Sequence, residues 1–244
     1  MACLAERIGW YQSIIAADID ADGDQDLVVG NWGHNTKYHA SNKQPALLYY
    51  GDFESSGRMH LVEAEFEDEK LFPVRGKSCS TNAMPFLGDK YKLFHDFASA
   101  SLDEIYTQDC LASAHRFSAN SLDSGVYVNE GGRFDFKPFP TLGQVAPVSD
   151  IAVGDFDKDG HQDVFLAENF YGPQPETGRA DGGICQILLG NGDGTFRPLL
   201  ARDSGIVVAG DATSVSQVDI DGDGAGEIIV TTNDGPVYTF KARQ

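Results

Sequence analysis

Residues 18–26 read DIDADGDQD, five carboxylates in nine positions. Three further segments align with it: DFESSGRMH at 52–60, DFDKDGHQD at 155–163 and DIDGDGAGE at 219–227. Recurrence of this kind marks a repeat architecture rather than a single site. Position 1 is Asp18, Asp52, Asp155 and Asp219, and position 3 is Asp20, Glu54, Asp157 and Asp221, so each copy carries a carboxylate at both. Position 5 is Asp22, Ser56, Asp159 and Asp223. Position 6 is always glycine (Gly23, Gly57, Gly160, Gly224), the residue that turns the chain at positive φ without steric cost. Position 7 varies through Asp24, Arg58, His161 and Ala225, the indifference expected where only the backbone carbonyl is used. Position 9 is Asp26, His60, Asp163 and Glu227.

Oxygen donors at positions 1, 3, 5, 7 and 9 around a glycine at 6 match the first nine places of a calcium loop. Magnesium demands stricter octahedral geometry, and no Cys or His stands in the side-chain ligand columns of the three intact copies to favour zinc. The expected calcium ligands are therefore Asp18, Asp20, Asp22, Asp24 and Asp26 in the first loop and Asp155, Asp157, Asp159, His161 and Asp163 in the third. In the fourth they are Asp219, Asp221, Asp223, Ala225 and Glu227. Asp24, His161 and Ala225 serve through their carbonyls. The loop at 52–60, with Ser56 and His60, is expected to hold no metal. Like charges about 5 Å apart repel by roughly 1 to 3 kcal/mol at dielectrics between those of water and a protein surface, so each intact loop favours a neutralising cation.

An EF-hand needs Glu at position 12 and a helix after it. Position 12 is Val29, Leu166 and Val230 instead, inside the runs LVVG, VFLA and IIVT, which read as buried strands. The residues before each loop (SIIAA, DIAVG, SVSQV) are also strand-like, and position 2 is always apolar (Ile19, Phe53, Phe156, Ile220). Each loop thus joins two strands. Between loops, GVYVNEGGRFDFKPF at 125–139 and ICQILLGNGDGTFRPL at 184–199 each read as a β-hairpin with a Gly-rich turn. Phe134 and Phe196 lie 62 residues apart and Asp155 and Asp219 lie 64 apart, so hairpin and acidic loop recur together.

Four antiparallel strands per repeat define a propeller blade. The expectation is an all-β, β-propeller-type chain of about three and a half four-stranded blades over residues 1–244. Residues 84–118 interrupt it with apolar residues at helical spacing (Leu102, Ile105, Leu111, Ala114) and a Ser101/Glu104 capping box. They are read as two helices inserted into the second blade. An incomplete ring has open edges, so either MACLAERI closes part of the last blade, or a longer parent or a second copy supplies the missing strands.

With 244 residues and 41% hydrophobic content the chain can bury a sizeable core. A formal net charge of −19 repels nucleic acid and anionic membrane surfaces. No run of eighteen apolar residues is present, and the first residues have neither the basic nor the apolar region of a signal peptide. Cys3, Cys79, Cys110 and Cys185 show no CxxC spacing.

The acidic loops at 18, 155 and 219, with GNWGHNTKY at 30–38, LLYYGDF at 47–53, SGVYVNEGGRFDFKPFP at 124–140 and AENFYGPQPETGRADGG at 167–183, resemble the FG-GAP or VCBS repeats of integrin-alpha-like β-propellers. Proteins of that subfamily often carry an ASPIC/UnbV domain as well. The resemblance implies calcium in the loops, a propeller of six or seven blades, and a binding role at the cell surface or outside the cell. Ser56 and His60 depart from the family pattern.

The polar loops after the second strand of a blade are where binding residues gather. NWGHNTKY and NFYGPQPETGR offer Trp32, His34, Phe170, Tyr171 and Arg179 as candidate ligand contacts, for a protein or a carbohydrate. No pair of carboxylates stands out as a glycosidase acid and base, and no nucleophile elbow is present. The function expected is a non-enzymatic binding or adhesion module, extracellular, periplasmic or on the cell surface. The alternatives are an accessory domain of a larger polysaccharide-acting or transport protein, or a catalytic propeller.

Overall fold

The computed structural model describes residues 2–173, 177–224 and 226–241. A short helix, α1 (Ala2–Glu6), precedes the paired strands β1 (Ser13–Ala17) and β2 (Asp26–Gly30). Then come β3 (Ala46–Gly51), β4 (His60–Glu67) and β5 (Lys70–Pro73). Five helices follow: α2 (Lys77–Ala83), α3 (Phe86–Lys90), α4 (Phe94–Ser99), α5 (Leu102–Tyr106) and α6 (Gln108–Ser113). The chain resumes as β6 (His115–Ala119), β7 (Gly125–Glu130), β8 (Arg133–Pro138), β9 (Val148–Gly154), β10 (Asp163–Glu168), β11 (Ile187–Gly190) and β12 (Phe196–Leu199). It ends with α7 (Ala201–Ser204), β13 (Ala212–Val218), β14 (Glu227–Thr232) and β15 (Val237–Phe240).

The strands form four antiparallel sheets, ordered β1-β2-β7-β8, β12-β11-β10-β9, β13-β14-β15 and β5-β4-β3-β6. The fold is mostly β, as the sequence pattern requires, but the strands are shared out differently from the expectation. Two units divide the chain, one of residues 1–37 and 122–244, the other of residues 38–121. The hairpin β7–β8, expected in a second blade, instead completes the first sheet: Val28 pairs with Val126 and Tyr127 with Phe136. Its apolar side chains decide this, because Val126 and Val128 are buried with Val28 and Ile19 in one cluster.

Residues 38–121 form their own unit, with one sheet and all five helices, rather than two helices within a blade. Leu102 and Ile105 are buried there against Leu47, Tyr49, Val62 and Ala64 of the sheet, with Leu111 and Ala114 packed at the margin. The Ser101/Glu104 capping box is present, the Glu104 carboxylate accepting the Ser101 N–H at 2.8 Å.

In the first unit the leading strands of the three sheets are neighbours, β1 beside β9 and β9 beside β13. The Ser13 hydroxyl donates to the Val148 carbonyl at 3.2 Å, and Asp150 Oδ2 accepts from Ser214 Oγ and Val215 N, both at 2.9 Å. One apolar cluster joins the first sheet to the second (Val28, Val126, Val148, Ile151, Val164), and another joins the second to the third (Phe165, Ile187, Val215, Ile228, Val230). Among the described residues the N-terminal segment does not pair with the last sheet. It lies against β8, with the Arg7 guanidinium 4.0 Å from the Phe136 ring centre and the Tyr11 and Tyr127 hydroxyls 2.8 Å apart.

Candidate metal loops and ligand face

Over their described residues the four acidic loops share one backbone shape. Glycine at position 6 has φ of +96° (Gly23), +80° (Gly57), +93° (Gly160) and +87° (Gly224). Position 4 is left-handed as well: Ala21 at 61°, Ser55 at 55°, Lys158 at 65° and Gly222 at 77°. Three of these are not glycine, so the loop holds them at a cost on the order of 1 kcal/mol each. The restraint comes from position 1, whose Oδ2 accepts the N–H of position 6. That distance is 3.1 Å for Asp18 and Gly23, 3.0 Å for Asp155 and Gly160, 2.9 Å for Asp219 and Gly224, and 2.6 Å for Asp52 and Gly57. Position 5 holds the N–H of position 7, from Asp24 to Asp22 at 2.8 Å and from His161 to Asp159 at 2.9 Å.

The position 9 acids also hold backbone N–H groups. Asp26 is wholly buried and accepts from Ile19 N at 2.8 Å and from Asn129 N, on β7, at 2.7 Å. Asp163, equally buried, accepts from Phe156 N at 2.8 Å and Gly190 N, on β11, at 2.9 Å. Each ties its loop to the third strand of its sheet. Glu227 accepts from Ile220 N at 2.8 Å. Asp24, expected to lend only its carbonyl, also accepts the Gly131 N–H at 2.9 Å, pinning the loop to the β7–β8 turn.

Carboxylate oxygens converge within 4.8 Å of one another in three places: Asp18, Asp20 and Asp22; Asp155, Asp157 and Asp163; Asp219, Asp221 and Glu227. Among the described residues the loop at 52–60 forms no such group, although it keeps the turn, because Ser56 and His60 replace two of the acids. The Ala225 carbonyl lies outside the described residues. In the first loop Asp18 Oδ1 and Asp20 Oδ1 are buried with no hydrogen-bond partner. Burial, then the charges of Asp26, Asp22 and Asp18, push the Asp20 carboxyl up from its ordinary range. Two orphaned oxygens in an all-oxygen donor set fit a hard divalent cation, which would satisfy both and remove the mutual repulsion. In the third loop Arg197, from β12, already stands 3.6 Å from Asp157.

The candidate ligand contacts gather as two pairs and an ion-pair group. Trp32 meets Phe170 edge to face at 5.5 Å and is itself met by Trp10 at 5.8 Å. The Arg179 guanidinium lies 4.6 Å over the Tyr171 ring. His34 Nε2 is 2.8 Å from Asp123 Oδ1, whose other oxygen takes Arg7 at 2.7 Å. Phe170 is 38% exposed and bridges to Ala180, closing the base of its loop.

Trp10, Asp123 and three asparagines are the residues that the loop patterns left out. Asn31 Oδ1 accepts from Trp10 N at 3.0 Å and Trp32 N at 2.8 Å. Asn169 donates to the carbonyls of Gly183 and Gly210 at 3.0 and 2.8 Å, and Asn233 N donates to the Asp211 carbonyl at 2.7 Å. An asparagine beyond the second strand of each of the three sheets of the first unit is a second repeat signal, readable as NW, NF and ND.

No model of a known protein family matches the chain, and no curated protein matches it.

Proposed function

We propose that this chain is a calcium-stabilised, β-propeller-type binding module, without catalytic activity, that presents a ligand face on its inter-strand loops. The observation that carries the reading is the pair of buried, unpartnered oxygens of Asp18 and Asp20, within a loop motif that recurs on successive sheets of one unit. Its support is also the resemblance to FG-GAP or VCBS repeats, whose loops take calcium. The ligand face is the aromatic group of Trp10, Trp32 and Phe170 with His34, Tyr171 and Arg179 at its border. A protein or a carbohydrate is the ligand, met at the cell surface or outside the cell, where millimolar calcium suits modest sites. The test is binding to an array of glycans and to candidate extracellular proteins, with calcium and with chelator. The reading requires calcium-dependent binding that Trp32→Ala with Phe170→Ala abolishes, and turnover of a bound substrate would refute the non-catalytic part.

A further inference from the structure

The third acidic group of the first unit differs from the other two in one respect that the repeat makes legible. Strand registers align β15 with β7 and β11: Phe240 lies opposite Ile228, as Tyr127 lies opposite Leu27 and Leu188 opposite Val164. The next residue is Val128 in the first sheet and Leu189 in the second, both 3% exposed and packed in apolar clusters. In the third sheet it is Lys241, an exposed residue. Its neighbours on the same face have also changed. Ile220, at position 2 of the loop, is 57% exposed, whereas Ile19 is 2% exposed and Phe156 packs in a cluster.

The Lys241 side chain turns into the loop. Its ammonium nitrogen lies 2.5 Å from Asp221 Oδ2, 2.6 Å from Asp223 Oδ2 and 3.3 Å from Glu227 Oε1. Those are the acids of positions 3, 5 and 9; the ammonium hydrogen-bonds Asp221, and it meets Glu227 Oε1, which completes no hydrogen bond, as an ion pair. No lysine or arginine reaches more than one acid of the loops at 18–26 and 155–163 among the described residues.

We infer that Lys241 is a built-in cation for the loop at 219–227, and that a divalent ion enters this loop only by displacing it. The inference rests on the calcium reading of the other two loops. It goes beyond that reading by making the three sites unequal: two that depend on calcium and one that is already neutralised in part without it. An exposed ion pair is individually weak, so the three together lower the apparent affinity of the loop at 219–227 by roughly tenfold rather than abolishing it.

The test is terbium and calcium titration of the full chain, followed by luminescence and calorimetry, beside Lys241→Met and Lys241→Ala. The expected result is two tight sites and one at least about tenfold weaker in the parent, the weak phase vanishing with Asp219→Asn, and three comparable sites in either lysine variant. A second readout is labelling of the Lys241 amine by an acylating reagent, which saturating calcium should increase several-fold. Three equal sites in the parent, or an unchanged third site in both variants, would overturn the inference while leaving the calcium reading intact. Absence of binding at 18–26 and 155–163 would overturn the calcium reading and this inference with it.

Discussion

Replacing Glu168 by glutamine should remove a pH-dependent loss of stability from the first unit. Glu168 ends β10, is wholly buried, and neither of its carboxylate oxygens completes a hydrogen bond. Burial raises its pKa from 4.5 to about 8, although the N–H groups of Cys185, Ile184 and Gln186 face it and favour the charged form. Between those two values the folded chain holds a proton that the unfolded chain has lost. The stabilising contribution is therefore complete below about 4.5 and disappears as pH rises through about 8. The slope is about 1.4 kcal/mol per pH unit, and its sum is on the order of 5 kcal/mol. Cys185, the titratable neighbour, has its thiol pushed up by burial to about 12 and stays neutral across this window. Glutamine keeps the shape without the charge, so the variant should match or fall slightly below the parent at pH 5 and exceed it at pH 9. Urea unfolding followed by tryptophan fluorescence reads this unit directly, since both tryptophans, Trp10 and Trp32, belong to it. Parallel pH profiles for parent and variant would refute the reasoning.

Three other outcomes follow from the geometry. Calcium at a hundredfold excess over its dissociation constant should stabilise the first unit by about 2.7 kcal/mol per filled loop, and an unchanged melting temperature on chelation would dismiss the calcium clamp. Asp26→Ala strips one buried and one half-buried N–H of their acceptor and should cost about 2 to 3 kcal/mol, whereas Asp24→Ala frees one exposed N–H and should cost under about 1 kcal/mol, both measured by chemical denaturation. Gly190→Ala puts a methyl carbon 2.2 Å from the Gln162 carbonyl oxygen and should cost about 1 to 3 kcal/mol, while Gly76→Ala, with open space around it, serves as the near-neutral control.

The sequence alone carried the loops well, because an Asp-x-Asp-x-Asp-Gly turn writes its geometry into adjacent residues. Glycine at position 6 and a carboxylate at position 1 are enough to specify a local hydrogen bond, and all four copies make it. Partition of strands among sheets is not local. The hairpin at 125–138 follows the loop at 52–60 in the chain but pairs with β2, because burial of Val126 and Val128 against Val28 outweighs proximity in sequence. Asp123 escaped notice for the same reason, since its partners Arg7 and His34 are each more than eighty residues away. Lys241 was invisible until register showed that it stands where Val128 and Leu189 stand.

The placement of residues 38–121 between β2 and β7 bears on the order of events during synthesis. The chain leaves and re-enters the first unit at neighbouring points, the Gly33 N–H donating to the Leu122 carbonyl at 2.9 Å. Yet Val28 waits for Val126. At about 5 to 20 residues per second, that interval is roughly 5 to 20 s, during which the β1–β2 hairpin has an unpaired edge on a ribosome-bound chain. Early closure of the inserted sheet during that interval would shorten the loop that β7 has to bridge, making the insertion a spacer whose own folding rate sets when the first sheet can zip shut.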